Sequence, residues 1–269
     1  MALLAASGPV VPAAAEAGDP VGRLRAAVAA VRPADAGLSA AALGRACGRE
    51  PLCAARRLAT AIGDGARLQR VGHPDTDTIR WVRTRPSLRA ARRLADGRVL
   101  VVLDRFGRTV EQELDRALDR LMPARGAPGL LLDLRGNSGG DFGRMLRTAG
   151  ALTGPRPGAL FLRGGDARRP VDLPAGAWHT GVGHMTVLVG PRTASSGEVL
   201  AALLRRYAGA EVLGARTAGK DYLTRIVPVN HDWRLLIRAE RIEIPGERLA
   251  GGLKPDRALP SALDKLIGP

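Results

Sequence analysis

Ser195 is the first residue whose type and surroundings are typical of nucleophilic catalysis. It lies in VLVGPRTASSGEVLAALLRR, where an apolar run typical of a buried strand ends and a helix is predicted to begin. A helix N-terminus offers free N–H groups and the positive end of a dipole, which stabilise developing negative charge. Ser195 followed three positions later by Glu198 is also a capping box, which usually has only a structural role. On this segment alone, both interpretations stay open.

Lys220 is the second candidate, and it could serve as a general base. It lies 25 residues after Ser195, in RTAGKDY, after one predicted helix and one predicted strand that bring the chain back beside its starting strand. A general base must be able to lose its proton, which a desolvated lysine can do and an arginine cannot. Only three of the 41 basic residues are lysines, so a lysine in a glycine-flanked turn is unusual for this composition. A Ser–Lys pair needs no histidine, and we expect Lys220 to be buried and neutral.

Ser138 competes with Ser195 for the role of nucleophile. It fits the pattern G-x-S-x-G from Gly136 to Gly140, between a predicted strand and helix, as in the nucleophile elbow of α/β-hydrolases. An HGGG-type segment is missing. None of the four histidines has a context typical of a catalytic histidine: His73, His179, His184 and His231. The structural interpretation is a tight turn, in which the glycines allow backbone N–H groups to face an anion.

The order of the predicted elements indicates an α/β protein. Residues 21–63 show helical periodicity, and from residue 98 onward strands and helices alternate. Continuous apolar strands in such an alternation favour a largely parallel sheet, and the run from 223 to 244 is rich in strand formers. We therefore predict a leader over 1–18, a small N-terminal helical lobe with connecting strands over 19–94, and a catalytic core with a β-rich C-terminal part over 95–269.

Composition excludes several classes of protein. A chain of 269 residues with 45% hydrophobic and 25% charged residues is typical of a globular protein. The net charge of +15 would favour nucleic-acid binding, but aromatic residues make up only 3% and the basic residues are dispersed, so specific recognition is not expected. No apolar run is long enough to span a membrane, and no ligand cluster predicts a metal or cofactor. The oligomeric state stays unknown.

Two features bear on localisation. Residues 1–18 are small and apolar, and Ala15-Glu16-Ala17 resembles a signal-peptidase site, although a basic n-region is missing. We expect either a truncated export signal or a disordered leader, and we favour export to the periplasm, the cell envelope or the extracellular space. Cys47 and Cys53 lie six residues apart. They would form a disulfide in an oxidising compartment and remain small buried thiols in the cytosol, and both alternatives stay open.

Four segments resemble, in order, the signatures of the C-terminal-processing (tail-specific) serine peptidases. These segments are GLLLDLRGNSGGDF, TASSGE, GARTAGK and GGLKPD, and with RVLVVLDRF they extend the resemblance over roughly residues 95–260. The resemblance implies a ClpP/crotonase-like core and protein or peptide substrates. It implies that Ser195 is the nucleophile, Lys220 the general base, and the backbone N–H groups of Ser196 and of Gly139 or Gly140 the oxyanion hole. Ser138 would then belong to the oxyanion turn.

Three departures from the family pattern leave other functions open. Gly197 replaces a small residue and is expected to loosen the helix start, and Thr224 replaces the glutamine that usually orients the base. Only about 30 residues (64–94) lie between the helical lobe and the core, which is too few for the PDZ domain of many family members. The alternatives are a catalytically weak or inactive binding protein on the same fold, an esterase using Ser138, and a crotonase-like enzyme acting on acyl-CoA.

Overall fold

A computed structural model describes residues 19–31, 39–72, 85–122, 129–176 and 183–267. The predicted leader, the predicted strand TIRWVR, His73 and His179 lie outside the described residues. The helices are α1 Pro20–Val31, α2 Ala40–Cys47, α3 Pro51–Ile62, α4 Val110–Leu121, α5 Phe142–Thr153, α6 Ser196–Ala208 and α7 Ser261–Ile267. The strands are β1 Ala66–Arg70, β2 Leu88–Arg93, β3 Val99–Leu103, β4 Leu130–Asp133, β5 Arg156–Gly164, β6 Ala167–Leu173, β7 Met185–Val189, β8 Glu211–Gly214, β9 Tyr222–Pro228 and β10 Trp233–Glu243.

The first sheet has the strand order β2-β3-β4-β7-β8 and carries the segments with candidate chemistry. β2 is antiparallel to β3, whereas β3, β4, β7 and β8 are parallel to one another. Every residue of β3, β4 and β7 is buried. A parallel strand covered on both faces requires such a continuous apolar sequence, so the prediction of an α/β fold with a largely parallel sheet is confirmed.

Helices α4, α5 and α6 contribute to the main hydrophobic core together with this sheet. α6 is the most deeply buried of them, because all nine residues from Ser196 to Leu204 are buried. A helix that is buried all round lies inside the protein rather than on its surface. α7 packs against another apolar cluster of the sheet, through Leu263, Leu266 and Ile267. The start of α6 is therefore held in a rigid environment.

The second sheet has the order β1-β10-β5-β6, with β9 also paired to β10, and all of its pairings are antiparallel. β9 and β10 are the β-rich C-terminal part that the sequence predicts. The β5–β6 hairpin was not predicted, because its strands RPGALFLRG and ARRPVDL mix arginine, proline and glycine with few apolar residues. Such a composition gives a weak strand signal, although β6 pairs with β5 along most of its length.

The N-terminal lobe consists of α1, α2 and α3, and it packs on β1, β9 and β10 rather than on the parallel sheet. Val28 and Leu58 of the lobe share an apolar cluster with Val227, Leu235 and Ile237 of the β9–β10 hairpin. Cys47 and Cys53 form a disulfide that joins α2 to α3. Of the two alternatives that the sequence leaves open for these cysteines, the structure has the disulfide.

Candidate active site

Three loops meet where the parallel strands end. The loop after β4 contains Asn137 to Gly140, the loop after β7 contains Ser195, and the loop after β8 contains Lys220. Because β4, β7 and β8 are neighbouring parallel strands, their carboxyl ends lie at the same edge of the sheet. This edge is where ligands bind in open α/β sheets. The predicted site segments are therefore brought to one region.

Ser195 has an unusual backbone conformation. It is the residue before α6, with φ 55° and ψ −123°, and it is the one non-glycine residue with positive φ in the described part of the chain. Such a conformation costs about 1–3 kcal/mol and persists only where surrounding structure enforces it. The side chain is 2% exposed. A buried serine held in strain at a helix N-terminus is typical of a functional residue, although the capping geometry is also present.

The serine loop is fixed to the loop after β4. Ala194 donates its N–H to the carbonyl of Asn137 at 2.9 Å, and the Thr193 hydroxyl donates to the carbonyl of Leu134 at 2.7 Å. The Asn137 side chain donates in turn to the carbonyl of Leu103, at the end of β3, at 3.0 Å. Asn137 and Thr193 are fully buried. These bonds define the position of Ser195 relative to the neighbouring turn.

The two glycines predicted for the oxyanion hole have different hydrogen-bonding roles. The Gly139 N–H donates to Asn137 Oδ1 at 2.8 Å, so it is already engaged. Within the described residues, no partner is found for the N–H of Gly140 or of Ser196, and the Ser196 hydroxyl donates to the Gly140 carbonyl at 3.3 Å. A Cβ at Gly140 would lie 2.6 Å from Phe106 N, and φ is +145°. This position therefore requires glycine, and Gly140 fits the predicted role better than Gly139.

Gly197 lies at a close contact, which corrects the expectation that it loosens the helix start. A Cβ at this position would lie 2.9 Å from the carbonyl oxygen of Asn137 and 3.0 Å from its Oδ1. Gly197 itself is buried in the first turn of α6. The missing side chain lets the helix approach the loop after β4 more closely than an alanine would allow.

Lys220 is exposed, which contradicts the prediction that it is buried. It lies in the turn between β8 and β9, at the open edge of the parallel sheet. No hydrogen bond joins Lys220 Nζ to Ser195 Oγ or to Thr224 among the described residues. Catalytic hydrogen bonds are often loose without substrate, so this geometry leaves the predicted roles of Lys220 and Thr224 untested.

Glu198 is the residue whose importance the sequence did not indicate. Its buried carboxylate accepts hydrogen bonds from the N–H groups of Ser195, Gly219 and Lys220 and from the Thr217 hydroxyl. The capping box predicts only the bond to Ser195. Thr217 also accepts the N–H of Leu253 at 2.7 Å, so the GGLKPD segment supports the lysine turn from behind. The signals that could have identified these contacts are the glutamate of TASSGE and the threonine of RTAGK.

Charged side chains also stabilise the loops around the site. Hydrogen bonds to Asp133 raise the pKa of the Arg135 guanidinium, which also pairs with Asp264 of α7 at 3.1 Å. Burial lowers the pKa of Arg105, which lies at the end of β3 beside Asp104. Both arginines follow strands of the parallel sheet, and each lies beside at least one carboxylate.

Ser138 is exposed in the turn after β4. His184 lies just before β7, at the opposite edge of the sheet, since its carbonyl accepts the N–H of Leu130 at the start of β4. The His231 side chain is 97% exposed and contacts Asp232. The described part of the chain thus brings no histidine to Ser138. It also contains no group of three or more His, Cys, Asp or Glu residues that could hold a metal ion.

The fold and the loops at the edge of the parallel sheet define the class of protein. It is an α/β protein with a ClpP/crotonase-like core and a serine at the start of its central helix. The model of Peptidase family S41 matches residues 99–259, and the chain belongs to this family. A search of curated proteins finds no match.

Solved structures show a similar fold at low sequence identity. A photosystem II D1 C-terminal processing protease is 22% identical with a TM-score of 0.52, covering 73% of this chain and 48% of its own. A lipoprotein from Streptococcus agalactiae is 13% identical with a TM-score of 0.67, and the match covers 91% of this chain and 93% of the lipoprotein. A putative peptidase from Parabacteroides merdae is 18% identical with a TM-score of 0.56, and the match covers 78% of this chain and 75% of the putative peptidase. This chain thus spans about half the length of the D1 processing protease.

The helices of the described segments are all too short or too polar to cross a membrane.

Proposed function

We propose that this chain is a serine endopeptidase in which Ser195 is the nucleophile and Lys220 the general base. The observation that carries the proposal is the strained, buried Ser195 at the N-terminus of α6, whose neighbour Ser196 donates its hydroxyl to the carbonyl of Gly140. Membership in Peptidase family S41 supports peptide-bond hydrolysis, and polypeptides are the proposed substrates.

In the proposed reaction, Lys220 Nζ takes the Ser195 hydroxyl proton as Oγ bonds to the carbonyl carbon of the substrate. The carbonyl oxygen becomes an oxyanion, which accepts hydrogen bonds from the N–H groups of Gly140 and Ser196. Lys220 then gives its proton to the leaving nitrogen as the C–N bond breaks. A water molecule attacks the acyl-enzyme, Lys220 takes its proton, and the proton returns to Ser195 Oγ.

The exposure of Lys220 adds a requirement to this mechanism. A general base must be able to lose its own proton before it can take the serine proton, and contact with water does not favour that loss for a lysine. We propose that a bound polypeptide covers the edge of the sheet and excludes water from Lys220. Thr224, in β9, is proposed to contact Lys220 only in this closed state.

A second candidate function is a binding protein without catalysis. The observations that favour it are the exposure of Lys220 and, among the described residues, the lack of a hydrogen bond from Lys220 to Ser195. Such a protein would hold polypeptides at the same edge of the sheet without cleaving them.

Cleavage of an unfolded protein substrate by the purified full chain distinguishes these functions. Ser195→Ala and Lys220→Ala are expected to abolish cleavage, whereas Ser138→Ala retains most of it. Labelling of Ser195 by a fluorophosphonate would add support. Loss of activity in Ser138→Ala, but not in Ser195→Ala, would instead indicate the esterase mechanism at Ser138. Saturable substrate binding without turnover in the wild-type chain would indicate the binding protein.

Export is proposed as the localisation. The disulfide between Cys47 and Cys53 supports an oxidising compartment. A similar fold also occurs in a protein described as a lipoprotein.

A further inference from the structure

We infer that Glu198 is a positioning residue, which holds the backbone of Ser195 and the backbone of Lys220 in one fixed arrangement. This inference rests on the proposed function, because it assigns the geometry of the Ser195–Lys220 pair to a third side chain. Glu198 lies one turn into α6 and touches neither the substrate nor the reacting atoms in the proposed mechanism.

One carboxylate oxygen joins the two segments. Glu198 Oε2 accepts the N–H of Ser195 at 2.8 Å and the N–H of Lys220 at 2.8 Å. The two backbone nitrogens therefore lie no further apart than twice that distance. Glu198 Oε1 accepts the N–H of Gly219 at 2.7 Å and the hydroxyl of Thr217. Three of the four donors thus belong to the turn that carries Lys220.

The donors match an ionised carboxylate. Glu198 is 0% exposed, and all four of its partners donate hydrogen bonds. An ionised carboxylate only accepts hydrogen bonds, so it can satisfy all four at once. Burial of a charge is costly unless hydrogen bonds compensate it, and here the compensating donors are the groups that must be positioned.

The segments that carry Ser195 and Lys220 both need a restraint from a residue outside them. Ser195 has a strained positive φ, and Lys220 follows Gly219, whose φ is +79°, in an exposed turn. The Ser195 conformation is not favoured by local sequence, and Gly219 leaves the backbone of the lysine turn little restricted by its own residues. Glu198 lies on α6, whose first nine residues are buried, so its carboxylate is fixed by the most rigid element near the site.

Two residues that cap other helices lack such reach within the described part of the chain. Glu50 at the start of α3 accepts the N–H of Leu52, at 3.0 Å, and Asp141 accepts the N–H of Arg144 at the start of α5, at 2.9 Å. Each of these two bonds lies within a single helix start. A purely capping role for Glu198 would explain the bond to Ser195 and leave the three bonds to the lysine turn without a purpose.

Glu198→Gln tests the inference with little change of volume. It replaces one acceptor oxygen by an NH₂ group that faces hydrogen-bond donors. We expect kcat for peptide cleavage to fall by about 10²-fold, because small misplacements of reacting groups cost that much, while KM changes by less than about threefold. Glu50→Gln is the matched control, and it should retain the wild-type kcat.

A double-mutant cycle separates positioning from a loss of stability. The readout is the rate at which a fluorophosphonate acylates Ser195 in the wild type, Glu198→Gln, Lys220→Ala and the double variant. Because three of the four bonds of Glu198 hold the turn that carries Lys220, Glu198→Gln should slow the reaction much less in the Lys220→Ala background than in the wild type. Rate losses that multiply would overturn the inference.

Thr217 supplies a second pair of variants in case Glu198→Gln does not fold. Thr217→Ser keeps the hydroxyl that donates to Glu198, whereas Thr217→Val removes it. The serine variant should retain activity, and the valine variant should lose at least about tenfold in kcat. A wild-type chain that neither cleaves nor becomes acylated would refute the proposed function as a whole. An active wild type with an equally active Glu198→Gln variant would refute this inference alone.

Discussion

Gly197→Ala changes one hydrogen to a methyl group at the contact between α6 and the loop after β4. The new Cβ would lie 2.9 Å from the Asn137 carbonyl oxygen and 3.0 Å from Oδ1, closer than ordinary van der Waals contact. Asn137 is fully buried and bonded to β3, so it can move away only by disturbing those bonds. We therefore expect the substitution to introduce strain in the site itself.

Gly44→Ala in α2 is the matched control. Gly44 lies inside a helix and is exposed, and a Cβ at this position would have no neighbouring atom within 4 Å. Glycine to alanine in an open helix position raises the free energy of unfolding by about 1 kcal/mol. The same gain applies at Gly197, but overpacking opposes it by about 1–3 kcal/mol. The two variants should therefore differ by about 1–3 kcal/mol, with Gly197→Ala the less stable.

Chemical denaturation of both variants measures this difference, and peptide cleavage measures its functional effect. Displacement of Asn137 would shift the turn that carries Gly140, so kcat should fall by at least about tenfold in Gly197→Ala and stay unchanged in Gly44→Ala. Equal stabilisation of both variants, together with full activity of Gly197→Ala, would refute the reasoning. The close approach of α6 to Asn137 would then have no energetic significance.

Two further predictions concern stability. Burial and the neighbouring acidic groups Asp119 and Glu111 raise the pKa of Asp115, so its charged form destabilises the folded state as the pH rises above the carboxylate range. Asp115→Asn should therefore raise the melting temperature at pH 7 and have little effect at pH 3, and an equal effect at both pH values would contradict the assignment. Removal of the disulfide by Cys47→Ser with Cys53→Ser should lower the free energy of unfolding by about 2 kcal/mol, because the bond closes only a short loop. Urea denaturation checks this value, and an unchanged midpoint would show that the bond does not constrain the unfolded chain.

The sequence predicted the parallel sheet and its helices because their patterns are local. β3, β4 and β7 are continuous apolar runs, and α6 follows a strand with a cap at its start. The β5–β6 hairpin was missed, since its stability depends on pairing with β10 rather than on its own pattern. The packing of the N-terminal lobe on the β9–β10 hairpin was also not predictable, because it joins segments far apart in the chain.

The residue types at the site were predictable, but their environment was not. Helix-start chemistry made Ser195 a candidate, and the rarity of lysine in this chain made Lys220 a candidate. The exposure of Lys220 depends on which elements cover the edge of the sheet, and no local pattern contains that information. The three contacts of Glu198 with the turn that carries Lys220 depend in the same way on how two loops approach each other.

The lobe formed by α1 to α3 affects how short a fragment of this chain can be and still fold. The family match begins at residue 99 and thus leaves out the lobe and β1, yet these elements cover Val227, Leu235 and Ile237 of the hairpin that begins two residues after Lys220. A chain shortened to the matched region would expose this apolar face to water and release one side of β10 from β1. We therefore expect truncation at the boundary of sequence similarity to yield an aggregating fragment rather than a stable, smaller domain.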